Sequence, residues 1–234
     1  MVNIFNNMQN FKEYKIKAEG VKSLCWKGDD LVDWVGGGVI YPIDRKYDHS
    51  HRLSYPYRRF DSAIMSPSGK YSVIYEKRGT KALLLQGHEI LRELNRSYYH
   101  ACTYNYPITF IQLKDGREIL AHCPTKYCLL EFEDVLSGQL LTSKDERNPW
   151  DIFHSNLTTS PSGRFLLNAG WRWHPWEQVF IYEVESALDD PKKLDADGIL
   201  LGINAEVYGG AFLDDQTVLL MTSSEILDED EEKI

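Results

Sequence analysis

Three segments of the chain place titratable side chains next to aromatic rings. They are Tyr57-Arg58-Arg59-Phe60-Asp61, Tyr98-Tyr99-His100 and Trp150-Asp151-Ile152-Phe153-His154. A histidine can serve as a general base near neutral pH, and an arginine can hold an anion. His154 and His100 with Asp61 and Arg59 would therefore suit a hydrolase or a lyase if they converge on one pocket. The same segments also read as a contact surface, because Tyr, Trp and Arg offer large contact area at small entropic cost. Convergence separates the two readings. Catalysis needs His154 within hydrogen-bond reach of an acidic or basic neighbour, whereas binding needs only a wide aromatic face.

Other clusters point to less. His122, Cys123 and Cys128 could approach one another at a hairpin, but they supply only three ligands and no second cysteine pair at zinc spacing follows. A turn with two inert thiols is the expectation, and no metal is assigned. Asp44, Asp48, His49 and His51 read as a solvated polar loop. No nucleophile elbow, phosphate loop or dinucleotide glycine pattern occurs, and Gly36-Gly37-Gly38 follows a strand without opening a helix, so no cofactor is expected.

Composition narrows the partners. The 234 residues are 43% hydrophobic and 12% aromatic, which is enough for a sizeable core and suits strands. A formal net charge of −9 argues against a nucleic-acid partner. A locally basic face on such a protein would favour an acidic protein or an anionic ligand. The first residues show no basic region followed by an apolar core, and no apolar run is long enough to span a bilayer. A cytoplasmic protein without a membrane partner is the expectation. The four cysteines lack the density of a disulfide scaffold.

A repeated strand unit must position these residues. Ser66-Pro67-Ser68-Gly69, Leu113-Lys114-Asp115-Gly116 and Ser160-Pro161-Ser162-Gly163 are turn sequences between short apolar runs, and their glycines recur every 47 residues. Weaker copies lie at Lys27-Gly28-Asp29-Asp30 and Leu213-Asp214-Asp215-Gln216. A fixed period in the forties with about four short strands per unit predicts propeller blades. The fold class is all-β, a β-propeller of four-stranded antiparallel blades, about five in number. Blades are expected near residues 22–53, 62–94, 108–142 and 153–184, with Glu185–Leu188 as a helical turn and a two-stranded fifth unit from Val207. Either Lys12–Ala18 closes the last blade or the ring stays open, and an open edge would invite self-association. Residues 1–224 are read as one domain. Residues 225–234 are read as an acidic, disordered tail, because the run repels itself.

Ser160-Pro161-Ser162-Gly163-Arg164 resembles the Ser-Pro-Asp-Gly turn of Trp-Asp-repeat propellers, with Tyr182-Glu183 standing where that family places its aromatic–acidic dipeptide. Phe153-His154-Ser155, that turn and Ala169-Gly170-Trp171-Arg172-Trp173-His174-Pro175-Trp176 also resemble a group of uncharacterised bacterial propeller-like proteins. The resemblance implies a fold and no activity.

In a propeller, the connections between blades crowd one rim. That rim is predicted to hold Tyr57, Arg58, Arg59, Asp61, Tyr98, Tyr99, His100, Tyr104, Tyr106, Trp150 and His154. Trp173 and His174 should join them from a hairpin at the same end, with Trp171 as a packing wedge. The expected function is a non-enzymatic binding or scaffold protein that uses this rim to bind a protein or an anionic ligand. The alternative is the His154, His100 and Asp61 enzyme.

Overall fold

The computed structural model describes residues 13–43, 56–144, 146–172, 176–196, 198, 203 and 205–224. Among the described residues, five antiparallel sheets follow one another along the chain. The first is a meander of β1 (Cys25–Lys27), β2 (Asp30–Asp33) and β3 (Val39–Tyr41). The second has β4 (Ser62–Met65), β5 (Tyr71–Tyr75), β6 (Lys81–Gln86) and β7 (Glu89–Asn95) in sequence order. The third comprises β8 (Ile108–Gln112), β9 (Glu118–His122) and β10 (Glu131–Asp134). In the fourth, β11 (Ile152–Phe153) and β12 (Leu157–Thr159) lie end to end along one edge of β13 (Phe165–Arg172), with β14 (Trp176–Glu183) on the other. A short helix α1 (Val184–Asp189) and a 3-10 turn at Pro191–Leu194 lead to the fifth sheet, β15 (Val207–Phe212) and β16 (Val218–Thr222).

The strands read as continuous apolar runs because both faces of the middle sheets are covered. Successive side chains of a strand point to opposite faces, and here the two faces meet two different neighbours. In β5, Tyr71 and Val73 pack with Ile108, Phe110 and Leu120 of the third sheet. Ile74, on the other face, packs with Val32 and Trp34 of the first. In β9, Leu120 faces the second sheet, while Ile119 and Ala121 meet Leu166 and Phe180 of the fourth. In β13, Leu166 faces the third sheet, while Leu167 and Ala169 meet Val207 of the fifth. The first strands also touch in order: β1 with β4, β4 with β8, β8 with β12 and β12 with β15. Sheets stacked face to face with their leading strands side by side form a β-propeller arrangement of blades.

The three repeated turns are equivalent. Gly69, Gly116 and Gly163 have φ of 71°, 86° and 72°, a region that side chains disfavour. Each donates its N–H at 2.9 Å to the carbonyl three residues earlier, at Ser66, Leu113 and Ser160. The serines have their own roles. Ser66 Oγ and Ser160 Oγ accept from the N–H of Tyr71 and Phe165, each at 3.1 Å. Ser68, Asp115 and Ser162 each accept from the N–H two residues on.

Two expectations change in detail. Of the five sheets, the second is a full four-stranded meander, and the fifth has two strands. In the third, the fourth strand reduces to a bridge between Leu140 and Glu133, because the chain then turns inward to bury Thr142, whose hydroxyl accepts from Phe132 N–H at 2.9 Å. Glu13–Ala18 forms no strand, so it does not complete the fifth sheet, and Lys12 lies outside the described residues. Lys17 and Ala18 instead line a cavity of about 780 Å³ with Gly36, Val39, Tyr41 and Arg58. The expected acidic tail also lies outside the described residues.

Candidate functional site

The connections into β8 and β12 meet at one end of the third and fourth sheets, and a buried arginine shapes the first of them. Arg96 donates to four carbonyls, those of Gly79 (2.6 Å), Asn105 (3.0 Å), Ala101 (2.7 Å) and Tyr104 (3.1 Å). Its guanidinium lies over the rings of Tyr104 at 4.5 Å and Tyr106 at 4.9 Å. A planar fork of five donors can hold several carbonyls at once, which an ammonium cannot do with the same geometry. Burial pushes Tyr104 up to about 12, against the opposing pull of Arg96, so this phenol stays neutral. The loop is then tied to its neighbour, because Asn105 Nδ2 donates to Asn156 Oδ1 at 2.6 Å. Asn156 Nδ2 in turn donates to the Tyr208 carbonyl of the fifth sheet at 3.0 Å. Both connections contain a non-glycine residue at positive φ, His100 at 49° and Asn156 at 38°.

An aromatic stack stands at this junction, centred on the buried ring of Phe153. Tyr127 stacks on Phe153 at 4.5 Å and 24°, and Tyr99 at 5.8 Å and 14°. His100, Tyr104 and Trp171 surround the same ring at 5.8, 5.1 and 4.9 Å. The stack reaches solvent through Tyr99, which is 49% exposed beside Tyr98 at 81%. The Tyr127 hydroxyl donates to Asp151, and its pKa rises through burial and that bond. Nearby, the Arg172 guanidinium lies 4.4 Å over the ring of Trp150. Offset ring pairs and cation–π contacts of this kind hold side chains in place without enclosing them.

His154 lies below this surface. It is buried, with Nε2 donating to the Cys128 carbonyl at 3.1 Å. A carbonyl only accepts, so the proton sits on Nε2. Burial lowers its pKa to about 4, so the ring is neutral near pH 7. His122 is also buried and meets Glu133 Oε2 at 2.9 Å. Burial raises Glu133, but the bonds from His122 and Arg92 outweigh it and hold the carboxyl below its usual range. Arg92 comes from β7, so this cluster clamps the second sheet to the third.

The predicted rim residues are thus distributed. Tyr99, His100 and Tyr104 come together on Phe153, with Tyr98 and Trp150 exposed at the same end. Tyr106 packs under Arg96 against Tyr75. Tyr57 packs on Phe60 with the apolar residues between the first two sheets. Arg58 and Arg59 are exposed, and Asp61 accepts from Lys77 N–H at 2.8 Å. Trp173, His174 and the Asp44–His51 cluster lie outside the described residues. Trp171 packs against Phe153, its cross-strand partner within the fourth sheet.

Sequence reasoning missed Arg96, Tyr127 and Asn156. Tyr127 had a usable signal, since it sits in the hairpin between the second and third strands of its sheet, the same end as the interblade connections. Arg96 had none, because nothing local marks a surface-type residue as buried.

No protein-family model matches the chain, and no curated protein sequence matches it. Solved structures do resemble it in shape. The Swd1 β-propeller domain of Myceliophteria thermophila gives a TM-score of 0.49 at 13% identity over 92% of this chain and 70% of that one. Hydrazine synthase of Kuenenia stuttgartiensis gives 0.46 at 16% identity, covering 81% of this chain and 57% of that one. A protein assigned as a 6-phosphogluconolactonase from Bacteroides uniformis gives 0.42 at 12% identity, covering 88% and 55%. The chain therefore spans little more than half of the latter two. Its propeller architecture rests on its own sheets and their packing, and among the described residues no helix is long and apolar enough to cross a membrane.

Proposed function

We propose that this chain is a non-enzymatic binding or scaffold module of Trp-Asp-repeat-like kind, with the aromatic junction between its third and fourth sheets as the working surface. One observation carries the reading: Tyr99 and Tyr127 are stacked on a buried Phe153 and partly open to solvent. Ordering such rings costs little on binding, because stacking on Phe153 already places both and Asp151 holds the Tyr127 hydroxyl. Tyr98, His100 and Trp150 extend the surface, and Arg58 and Arg59 add exposed positive charge at the second sheet. The partner is a protein or an anionic ligand that spreads over this rim. His154 supports the surface from beneath. A neutral ring enclosed in the interior with its Nε2–H on a carbonyl is a packing element, and this favours binding over the hydrolase or lyase alternative. Capture from native lysate by wild-type protein and by the Tyr99→Ala and Trp150→Ala variants tests the proposal. Loss of capture at unchanged melting temperature supports it, and undiminished capture by both variants refutes it.

A further inference from the structure

Four turns stand at the end of the second and third sheets where β4 and β8 begin, and all lie within residues 56–144, which are described throughout. Each closes with an N–H bonded to the carbonyl three residues earlier: Phe60 to Tyr57 at 3.1 Å, Gly79 to Glu76 at 3.0 Å, Ala101 to Tyr98 at 3.2 Å and Leu129 to Lys126 at 3.1 Å. The central pair of residues forms the tip of such a turn. In the first two turns that pair is cationic, Arg58-Arg59 and Lys77-Arg78, and all four residues are exposed. In the other two the pair brings the stacked rings of Tyr99 and Tyr127. Bonds join the turns in order. Asp61, just after the first, accepts from Lys77 N–H of the second at 2.8 Å. The Arg96 guanidinium spans from the Gly79 carbonyl of the second to the Ala101 carbonyl of the third. Tyr99 of the third then meets Tyr127 of the fourth, with ring centroids 4.9 Å apart. Among the described residues the four tip cations form no ion pair. The acids beside them are engaged: Asp61 also accepts from Ser62 Oγ at 3.0 Å, the Glu76 carboxyl lies against Gly79, and Glu93 pairs with Lys81 within the field of Arg59. One half of the strip is therefore cationic and the other half aromatic.

We propose that this strip docks an extended acidic segment of a partner protein, in which a run of aspartate or glutamate lies on the two cationic turns and prolines or aromatic residues lie on Tyr99 and Tyr127. The inference rests on the reading of this end as the working surface and adds the chemistry of the partner. The planar forks of Arg58, Arg59 and Arg78 match carboxylates in geometry as well as charge. A chain with a net charge of −9 repels an acidic segment over most of its surface, so charge selects both the partner and the place where it docks. A nucleic acid fits less well. It carries a phosphate at every step, whereas the cations end at the second turn and the Asp151 carboxylate stands at Tyr127. An acidic run that gives way to uncharged residues matches that division.

The test uses a labelled peptide with consecutive glutamates at one end and alternating proline and tyrosine at the other, made in both chain directions, and a control with glutamine in place of glutamate. Fluorescence anisotropy should show saturable binding of one direction to the full chain, with the glutamine control at least about tenfold weaker and the gap shrinking as salt rises. The double substitution Lys77→Gln, Arg78→Gln and the double substitution Arg58→Gln, Arg59→Gln should each weaken the glutamate peptide by about tenfold at unchanged melting temperature and leave the control unaffected. Tyr99→Ala should weaken both peptides. Should a double variant lose stability, Arg78→Gln alone reads the same charge. No saturable binding in either direction, or equal affinity for glutamate and glutamine peptides, overturns the proposal. So does tighter binding of a single-stranded oligothymidine than of the glutamate peptide, since phosphates spaced along a strand would then be the occupant. Capture from lysate that depends on Tyr99 and Trp150 but survives both glutamine double variants would leave the working surface in place and remove the acidic segment.

Discussion

Acidification should strip stability from this protein through one identifiable histidine. His154 is 1% exposed and its pKa is lowered to about 4, chiefly by burial, whereas an unfolded chain returns it to about 6.5. Between these values the unfolded state binds the proton and the folded state does not. The His154 contribution is therefore complete above about pH 6.5 and is lost progressively as pH falls toward 4. A gap of roughly 2.5 pH units corresponds to about 3 kcal/mol at full loss. Glu133 and Asp134, both held below their usual range, add a loss in the same direction at lower pH. Urea denaturation of wild type and His154→Gln at a series of pH values separates these effects, because glutamine keeps a donor for the Cys128 carbonyl but does not titrate. The wild-type curve should fall away from the variant by about 3 kcal/mol between pH 6.5 and 4. Parallel curves would refute the reasoning, as would an NMR titration of His154 centred near 6.5. The latter would also place the ring where a general base operates and revive the catalytic reading.

Three further outcomes follow from particular contacts. Gly116→Ala should cost about 1 kcal/mol in denaturant unfolding, from positive φ alone, since nothing lies within 4 Å of the added methyl. Gly163→Ala should cost about 1–3 kcal/mol more, because its methyl would collide with the backbone carbonyl of Gln112 in the third sheet. Arg96→Ala should lower stability by about 2–4 kcal/mol by freeing buried carbonyls, and Arg96→Lys should recover less than half of that, because an ammonium cannot reproduce the fork. Equal unfolding free energies for the Arg96 variants and wild type would show that the loop holds its shape without the guanidinium.

The repeat was legible in the sequence because turn chemistry is local. A capping oxygen at the third turn position and glycine at the fourth reflect hydrogen bonds and backbone angles made within a few residues, and they recur at Gly69, Gly116 and Gly163, with serine at the first position in the two outer copies. The span of the second sheet, read as residues 62–94 and observed from Ser62 to Asn95, followed closely, since apolar runs there are bounded by turns at Gly69, Gly79 and Gly87. The fourth sheet was harder to anticipate. Phe153 and Leu157 sit on one edge of β13 with His154–Asn156 turning inward between them, an arrangement set by Asn168 Oδ1 accepting from Ser155 N–H at 2.9 Å across the sheet. The rim was legible as a set of segments but not as a surface. Sequence types alone did not show that Tyr104 and Tyr106 are held under Arg96 while Tyr99 stays open, because burial there depends on a guanidinium binding loop carbonyls from several directions.

The central claim is that the Tyr99–Phe153–Tyr127 junction is where this protein meets its partner. Tyr104 is buried, so its removal would confound binding with folding. Tyr99 and Trp150 are exposed and can be changed with little effect on the core. The decisive measurement compares the doubly substituted Tyr99→Ala, Trp150→Ala protein with wild type in quantitative capture from native lysate, alongside thermal unfolding of both. The account predicts that the partner is lost while the melting temperature stays within about 2 °C, as exposed substitutions usually allow. Undiminished capture by a folded double variant would contradict it.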